Sequence, residues 1–391
     1  MSCEKQVRTG LTGDEAVAYA AFHADVDVIA AYPITPQTVM VERLSEFVHN
    51  GELDAEFVPV ESEHSALSAS VGASLAGARV FTATASQGLA LMYEILYIAS
   101  ALRTPIVMGL ANRAFSAPIN IHCSHDDAYA ARDAGWIQFF AETVQEAYDL
   151  VIAGFKIAED KNVLFPLIVN LDAFILSHSI EPLYIYEGKE VVREFLPPRE
   201  PVNPIDPDNP MTYGPLALQN YYMEIKKQQY EAFKSINPHI KKVLEEYSEF
   251  SGRRYDFIKK YHVDDADIIF VILGSAAGTV REAVNRLRKE GVKVGVLSLT
   301  LYRPFPANEV REVLRNANTV IVMDRSCSIG SPGAQLYLDV ATTLYSLPDR
   351  PRLVNIIYGL GGRDMFPDDI KKVLEVIKDP KVTEYWLGVR G

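Results

Sequence analysis

Val28-Ile29-Ala30-Ala31-Tyr32-Pro33-Ile34-Thr35-Pro36 is the stretch on which the fold of this chain turns. Four small or apolar residues run into a turn, and Thr35-Pro36 then opens a helical pattern through Val39, Met40, Leu44 and Phe47. Thr is a favoured helix N-cap, and Pro suits the first helical position because its missing N–H costs nothing there. The expected unit is a buried strand, a sharp turn and a helix that begins above the strand's carboxyl end. In open α/β sheets ligands bind at that edge, and a helix N-terminus favours an anion. Thr35 standing alone would be no more than a cap.

Two later stretches repeat the unit. Val58-Pro59-Val60 runs into Glu61-Ser62-Glu63-His64-Ser65-Ala66 and then a helical run of small residues from Ser68 to Gly77. Small side chains let another backbone, or a second subunit, approach closely. Carboxylates at the head of so apolar a helix are costly to bury without a partner, which makes Glu61 and Glu63 candidates for chemistry. Pro105-Ile106-Val107-Met108-Gly109-Leu110 reads as a third buried strand, with Asn112-Arg113 at its carboxyl end. Thr35, Glu63 and Arg113 then present a hydroxyl, a carboxylate and a guanidinium along one edge of a parallel sheet. An arginine there suits a small carboxylate substrate, because its fork binds two oxygens at once.

Strand and helix alternate over residues 1–180, with strands expected at 28–32, 57–60, 80–84, 105–110 and 163–170. Capping boxes are expected at Thr12 with Glu15 and at Thr143 with Glu146. Such alternation predicts an α/β domain around a parallel sheet. Residues 181–262 form a second region. Its first part carries Pro197, Pro198, Pro201, Pro204, Pro207 and Pro210 and reads as an extended arm or linker, able to wrap a neighbouring subunit. From Leu216 to Tyr261 a Lys- and Glu-rich segment reads as amphipathic helices. A second α/β domain is expected over 263–391, with strands at 268–273, 292–297, 319–322 and 353–357. Gly274-Ser275-Ala276-Ala277-Gly278-Thr279 opens its first helix, either as a phosphate-binding turn or as a plain one; it matches neither the dinucleotide nor the P-loop pattern.

Composition narrows the partners. The chain has 391 residues, 48% hydrophobic and 23% charged, with a formal net charge of -13 and no basic run. Nucleic acid is therefore excluded as the expected partner, since phosphate binding needs a positive face. No apolar run is long enough to span a bilayer, and Met1-Ser2-Cys3-Glu4-Lys5 lacks the apolar core of a signal peptide, so the cytoplasm is expected. The three cysteines, Cys3, Cys123 and Cys327, form no Cys-x-x-Cys set, and an iron–sulfur cluster takes four thiolates. Asn120-Ile121-His122-Cys123-Ser124-His125-Asp126-Asp127 has metal-ligand residue types, but neighbours so close in sequence seldom converge. It reads as a wall of the substrate pocket with no metal, where an exposed Cys123 would be open to oxidation.

The strings Tyr32-Pro33-Ile34-Thr35-Pro36, Glu61-Ser62-Glu63, Thr82-Ala83-Thr84-Ala85-Ser86-Gln87-Gly88 and Asn112-Arg113-Ala114 come in a telling order and spacing. Together they resemble the alpha subunits of the 2-oxoacid:ferredoxin oxidoreductases, those of the pyruvate enzymes above all. The likeness runs from about Gly10 to Tyr385. It implies a thiamine-diphosphate-binding fold of the pyrimidine type for the first domain and a transketolase C-terminal-like fold, serving assembly, for the last. It implies thiamine diphosphate as cofactor, with Glu63 as the carboxylate on its aminopyrimidine ring and Glu61 as the rival. Ser86 and Gln87 would shape the cofactor pocket, or cap a helix, and Thr35 and Arg113 match the positions that hold the 2-oxoacid.

The implied reaction is oxidative decarboxylation of pyruvate with coenzyme A to acetyl-CoA and CO2, with electrons passing to ferredoxin, in anaerobic metabolism. A branched-chain or dicarboxylic 2-oxoacid, a non-oxidative thiamine enzyme and a non-catalytic scaffold subunit are the competing readings. Thiamine enzymes hold the diphosphate through Mg2+ with a Gly-Asp-Gly string, and none occurs in this chain. The resemblance therefore assigns diphosphate and Mg2+ binding to a beta-type partner subunit, and iron–sulfur clusters to gamma- and delta-type partners.

Overall fold

The computed structural model describes residues 5–390, so Cys3 lies outside the described residues. A seven-stranded sheet organises the first part of the chain. Across it run Leu301–Arg303, Ile137–Phe140, Leu167–Asp172, Ile106–Asn112, Val80–Thr84, Val28–Ala31 and Glu56–Pro59. Every neighbouring pair is parallel except the edge pair, where Leu301 lies antiparallel to Phe139. Val80–Thr84 and Ile106–Asn112 are buried along their whole length, as strands covered on both faces must be. Helices Gly13–His23, Thr38–His49 and Val144–Glu159 pack as one group, and Glu63–Leu75 with Tyr93–Ala101 as another. Layers of helix and sheet of this kind let each element bury its apolar face.

A six-stranded sheet carries the last part. Its order is Glu384–Trp386, Arg352–Ile357, Thr319–Asp324, Ile268–Leu273, Val294–Leu299 and Ile258–Tyr261, the last antiparallel. The two sheets are bound to each other: the chain leaves the second sheet to lend Leu301–Arg303 to the first. Lys259 also pairs with Glu142 at 3.4 Å, and Arg281 pairs with the same carboxylate.

Three sequence expectations change. The helix after Thr35-Pro36 begins only at Thr38, so Thr35 is an exposed turn residue and not its cap. The cap position falls to Gln37, whose side chain makes no capping bond and instead donates to Ala83 O at 2.8 Å and Tyr32 O at 3.2 Å. That amide staples the turn to the neighbouring strand, which fixes the loop without a capping bond. Second, the region after Glu181 is not irregular from its start. Glu181–Tyr186 pairs antiparallel with Gln6–Leu11, and irregular chain follows the short helix Lys189–Arg193. The proline-rich part lies against helix Glu63–Leu75, with Ile205 N donating to Leu75 O at 2.8 Å and Arg199 Nη2 to Ser74 O at 3.1 Å. Third, Ile137–Phe140 is a strand within the first sheet.

Of the two capping boxes expected, one forms in full. Thr12 and Glu15 bond each other's backbone N–H, at 3.3 and 2.9 Å. At Thr143 only half the box forms: Thr143 Oγ1 accepts from Glu146 N, while the Glu146 carboxylate accepts from Glu142 N.

Asp14, in the first turn of that first helix, is fully buried and neither carboxylate oxygen accepts a hydrogen bond among the described residues. His178 Nδ1 lies 3.6 Å away, beyond hydrogen-bond reach, and burial lowers its pKa. Burial, reinforced by Glu15, pushes the Asp14 pKa well up. A carboxyl whose folded pKa exceeds its unfolded value binds its proton more tightly in the fold. Its cost to stability therefore appears as pH rises above the unfolded value near 4. Asp14→Asn is expected to stabilise the chain by about 1–3 kcal/mol at pH 8, a gain that disappears by pH 4. Denaturant midpoints of the two proteins at both pH values measure it, and equal midpoints at pH 8 would refute the account.

Candidate active site

Five adjacent parallel strands deliver the candidate groups to one edge of the seven-stranded sheet. Thr35 follows Val28–Ala31, Glu63 follows Glu56–Pro59, Ser86 and Gln87 follow Val80–Thr84, and Arg113 follows Ile106–Asn112. Asp172 ends the fifth strand. The cleft lined by Glu159, Lys161, Pro198 and Lys242 sits by residues that precede Leu167–Asp172, at the opposite edge.

Glu63 opens helix Glu63–Leu75, capped by Ser62, whose side chain accepts from Ser65 N. It is only 6% exposed, and its carboxylate accepts no hydrogen bond among the described residues. Gly88 lies against it. A Cβ there would sit 2.7 Å from Glu63 Oε1 and 2.3 Å from Thr84 Oγ1, so only glycine fits. Thr84 Oγ1 is itself buried without a partner. Glu61 stands differently: it is exposed and accepts from the Ser65 hydroxyl, which lowers its pKa. The carboxylate left unengaged and facing the sheet edge is Glu63.

Arg113 is 7% exposed, and it meets Thr35 directly. Its Nη1 donates to Thr35 O at 2.8 Å and its Nε to Asn120 O at 3.3 Å. Burial lowers its pKa, opposed by the Asp127 charge, and a guanidinium stays protonated regardless. Of its five N–H groups, those on Nη2 donate to nothing among the described residues, which leaves donors for a substrate carboxylate.

Ser86 sits at φ +44°, in the left-handed region that non-glycine residues avoid, at a cost of about 1–3 kcal/mol. It is buried, and its hydroxyl lies 2.7 Å from both Ala114 O and Gln87 Oε1. One hydroxyl proton cannot serve two acceptors; turning the Gln87 amide over gives both contacts a donor.

Asp127 is a member of the site that sequence reasoning missed. It is fully buried, and its Oδ2 accepts from Ser86 N and Arg113 N, both at 3.0 Å. Its Oδ1 accepts from Asn112 Nδ2 at 3.1 Å and Ala128 N at 2.7 Å. Burial pushes its pKa to about 6 against these donors, so it is ionised at neutral pH. Its only sequence signal is an acidic pair in a loop of metal-ligand residue types.

That loop does converge, contrary to expectation, because a distant partner completes it. Cys123, His125 and Asp172 bring their ligand-type atoms within 4.8 Å of one another. His125 Nε2 lies 2.7 Å from Asp172 Oδ1, and the buried Arg325 guanidinium stands 3.8 Å from Oδ2. Burial alone would raise the Asp172 pKa, yet Arg325 and His125 hold it well below the usual range. Cys123 is buried and its thiol pKa is pushed up, so the exposure needed for ready oxidation is missing. Asp172 also accepts from Ser275 N at 3.2 Å, and a Cβ on Gly274, at φ +72°, would touch its carboxylate at 2.9 Å. The helix start that resembled a phosphate site thus holds an internal carboxylate.

The sheet order defines the class: an α/β protein with a mostly parallel sheet whose carboxyl edge gathers the candidate groups. Residues 19–245 match the family described as pyruvate flavodoxin/ferredoxin oxidoreductase, thiamine diphosphate-binding, and residues 266–370 match pyruvate:ferredoxin oxidoreductase core domain II. The chain is 49% identical to pyruvate synthase subunit PorA of Thermotoga maritima over 94% of either chain. It is 45% identical to ketoisovalerate oxidoreductase subunit VorA of Pyrococcus abyssi, over 96% of this chain and 94% of that one. Among solved structures it resembles the 2-oxoglutarate:ferredoxin oxidoreductase of Magnetococcus marinus, with TM-score 0.72 and 20% identity, covering 94% of this chain and spanning 65% of that one. It also resembles a split-gene transketolase, with TM-score 0.55 and 13% identity, covering 96% and 100%. These two show the fold alone. The chain belongs to the pyruvate:ferredoxin oxidoreductase family.

Proposed function

We propose that this chain supplies the pyrimidine-binding and substrate-orienting half of a pyruvate:ferredoxin oxidoreductase. The reaction is conversion of pyruvate and coenzyme A to acetyl-CoA and CO2, with two electrons passed to ferredoxin. The observation that carries it is the Glu63 carboxylate, on a residue only 6% exposed at the carboxyl edge of the sheet, which accepts no hydrogen bond among the described residues and packs against Gly88. The unpartnered Thr84 hydroxyl at the same spot fits a polar group there.

Thiamine diphosphate, when bound, supplies the carbon that attacks the 2-oxo group and takes up the electrons released with CO2. Glu63 holds a proton at the aminopyrimidine nitrogen, which is general acid–base work. The Arg113 donors left over from Thr35 O and Asn120 O pair with the substrate carboxylate, and the Thr35 hydroxyl donates to its oxo oxygen. The first residues of helix Ser86–Leu91, Ser86, Gln87 and Gly88, form the floor beside the ring. Cys123, His125, Asp172 and Arg325 form a charge-paired latch between the two sheets and bind no metal.

The pyrimidine half is assigned to residues 1–180, the arm and linker to 181–262, and the transketolase-like domain to 263–391. With no Gly-Asp-Gly in this chain, a beta-type subunit supplies diphosphate and Mg2+ binding, and gamma- and delta-type subunits carry the iron–sulfur clusters. The complex is assigned to the cytoplasm. Among the described residues no helix is long and apolar enough to cross a membrane.

The complex purified without oxygen is expected to reduce a low-potential dye only when both pyruvate and coenzyme A are present. The isolated chain should be inert. A specificity constant higher for 2-oxoisovalerate or 2-oxoglutarate than for pyruvate would move the substrate, and inactivity with every 2-oxoacid would end the reading.

A further inference from the structure

We propose that Asp127 is a positioning residue for the reaction: its carboxylate joins the two strand-end turns that carry Ser86 and Arg113, and so sets the substrate-binding guanidinium against the cofactor-facing turn. This rests on Arg113 as the group that holds the substrate carboxylate.

The stereochemistry asks for a carboxylate and nothing less. A single oxygen, Oδ2, accepts the backbone N–H of both Ser86 and Arg113, each at 3.0 Å. The other oxygen takes Asn112 Nδ2 and Ala128 N. Four N–H donors converge on two oxygens, so an amide would turn its NH2 against two of them. Burying a charged group is costly in itself, and the four converging donors offset that cost only for a carboxylate. What only the carboxylate achieves is to hold the two turns to one point.

The joint is made firm from both sides. Asn112 also donates to Asn170 Oδ1 at 3.0 Å, and Asn170 donates to Phe139 O at 2.9 Å, tying the carboxylate into two neighbouring strands. Across the joint the Ser86 hydroxyl reaches Ala114 O, so the same two turns are stitched a second time. Ser86 is the residue held at φ +44°, and a strained turn of this kind persists only where its surroundings over-determine it. Asp127 supplies that restraint through the Ser86 N–H. Loosening it frees Ser86 to relax and lets the Arg113 backbone follow.

The test is a double-mutant cycle on the assembled complex, reading KM for pyruvate, KM for coenzyme A and kcat. Asp127→Asn is expected to raise KM for pyruvate roughly ten- to a hundredfold while KM for coenzyme A stays within about twofold. In an Arg113→Lys background the same change should add less than about threefold, because the two residues act as one unit. Equal effects in both backgrounds, or equal rises in both KM values, would overturn the proposal in favour of a general structural role. Arg113→Lys with an unchanged pyruvate KM would instead remove the reading of Arg113 beneath it. If Asp127→Asn fails to assemble, Asn112→Ala decides the matter: it withdraws one donor and leaves the carboxylate. A three- to tenfold rise in pyruvate KM alone supports the joint, and an unchanged value overturns it.

Discussion

Glu63→Gln in the assembled complex is expected to lower pyruvate-dependent electron transfer by roughly 10²- to 10⁴-fold, the span a positioned proton-transfer group contributes. The substitution keeps the shape of the side chain and removes only its charge and basicity. No N–H of the described residues donates to the Glu63 carboxylate, so its loss breaks no bond of the fold. Unfolding midpoints and subunit assembly should therefore hold. Glu61→Gln provides the contrast. Glu61 is exposed and engaged with Ser65, and its replacement should leave the rate near wild type while loosening only the first turn of the helix. Activity that survives Glu63→Gln and falls with Glu61→Gln would exchange the roles of the two carboxylates. Activity that survives both would make this subunit a scaffold.

The choice between those two glutamates marks where sequence reading stops. Both stand in the same short string after a strand, and spacing alone puts both near the sheet edge. Burial separates them, and burial depends on what the rest of the chain lays over the turn. The strands themselves are legible, because Val80–Thr84 and Ile106–Asn112 are unbroken runs of residues that two covering helix layers require. Their carboxyl-end residues are legible for the same reason: once a strand's end is placed, Glu63, Ser86 and Arg113 have nowhere else to be. Ile137–Phe140 carries a signal too, since Trp136-Ile137-Gln138-Phe139-Phe140 is a largely apolar run of strand length, although it is absent from the strands expected above.

Other features have no local signal. Leu301–Arg303 is three residues long and finds its partner in the other half of the chain. Gln37 donates to a strand carbonyl and Asp127 accepts from two backbone N–H groups, and backbone atoms leave no mark in the residue types around them. The helix start at Thr38 follows from the Gln37 staple and not from the preference of Thr35 for a cap. At Gly274–Ser275 the pattern rightly suggests a turn able to meet an anion, but the anion is Asp172, brought there by the packing of the two sheets.

Arg113→Gln is the second large expected effect, and it separates binding from chemistry. Two of the guanidinium's five donors are committed to Thr35 O and Asn120 O, and the rest donate to nothing among the described residues. Removing the charge removes an ionic hydrogen-bond pair with the substrate carboxylate, of which each bond contributes about 1.5–3 kcal/mol. The specificity constant for pyruvate should fall roughly 10²- to 10⁴-fold, with most of the loss in KM. Coenzyme A, which presents no carboxylate to this group, should keep its KM. Arg113→Lys restores the charge but not the fork. It cannot hold Thr35 O, Asn120 O and the substrate together, so it should recover only part of the loss. A fall in kcat with pyruvate KM unchanged would contradict carboxylate binding and would move Arg113 into the charge balance of the chemical step. A fall shared equally by pyruvate and coenzyme A would mean that the Thr35 and Asn120 loops had collapsed together. The contacts to those two carbonyls make that the outcome to separate first, by comparing unfolding midpoints of the two variants.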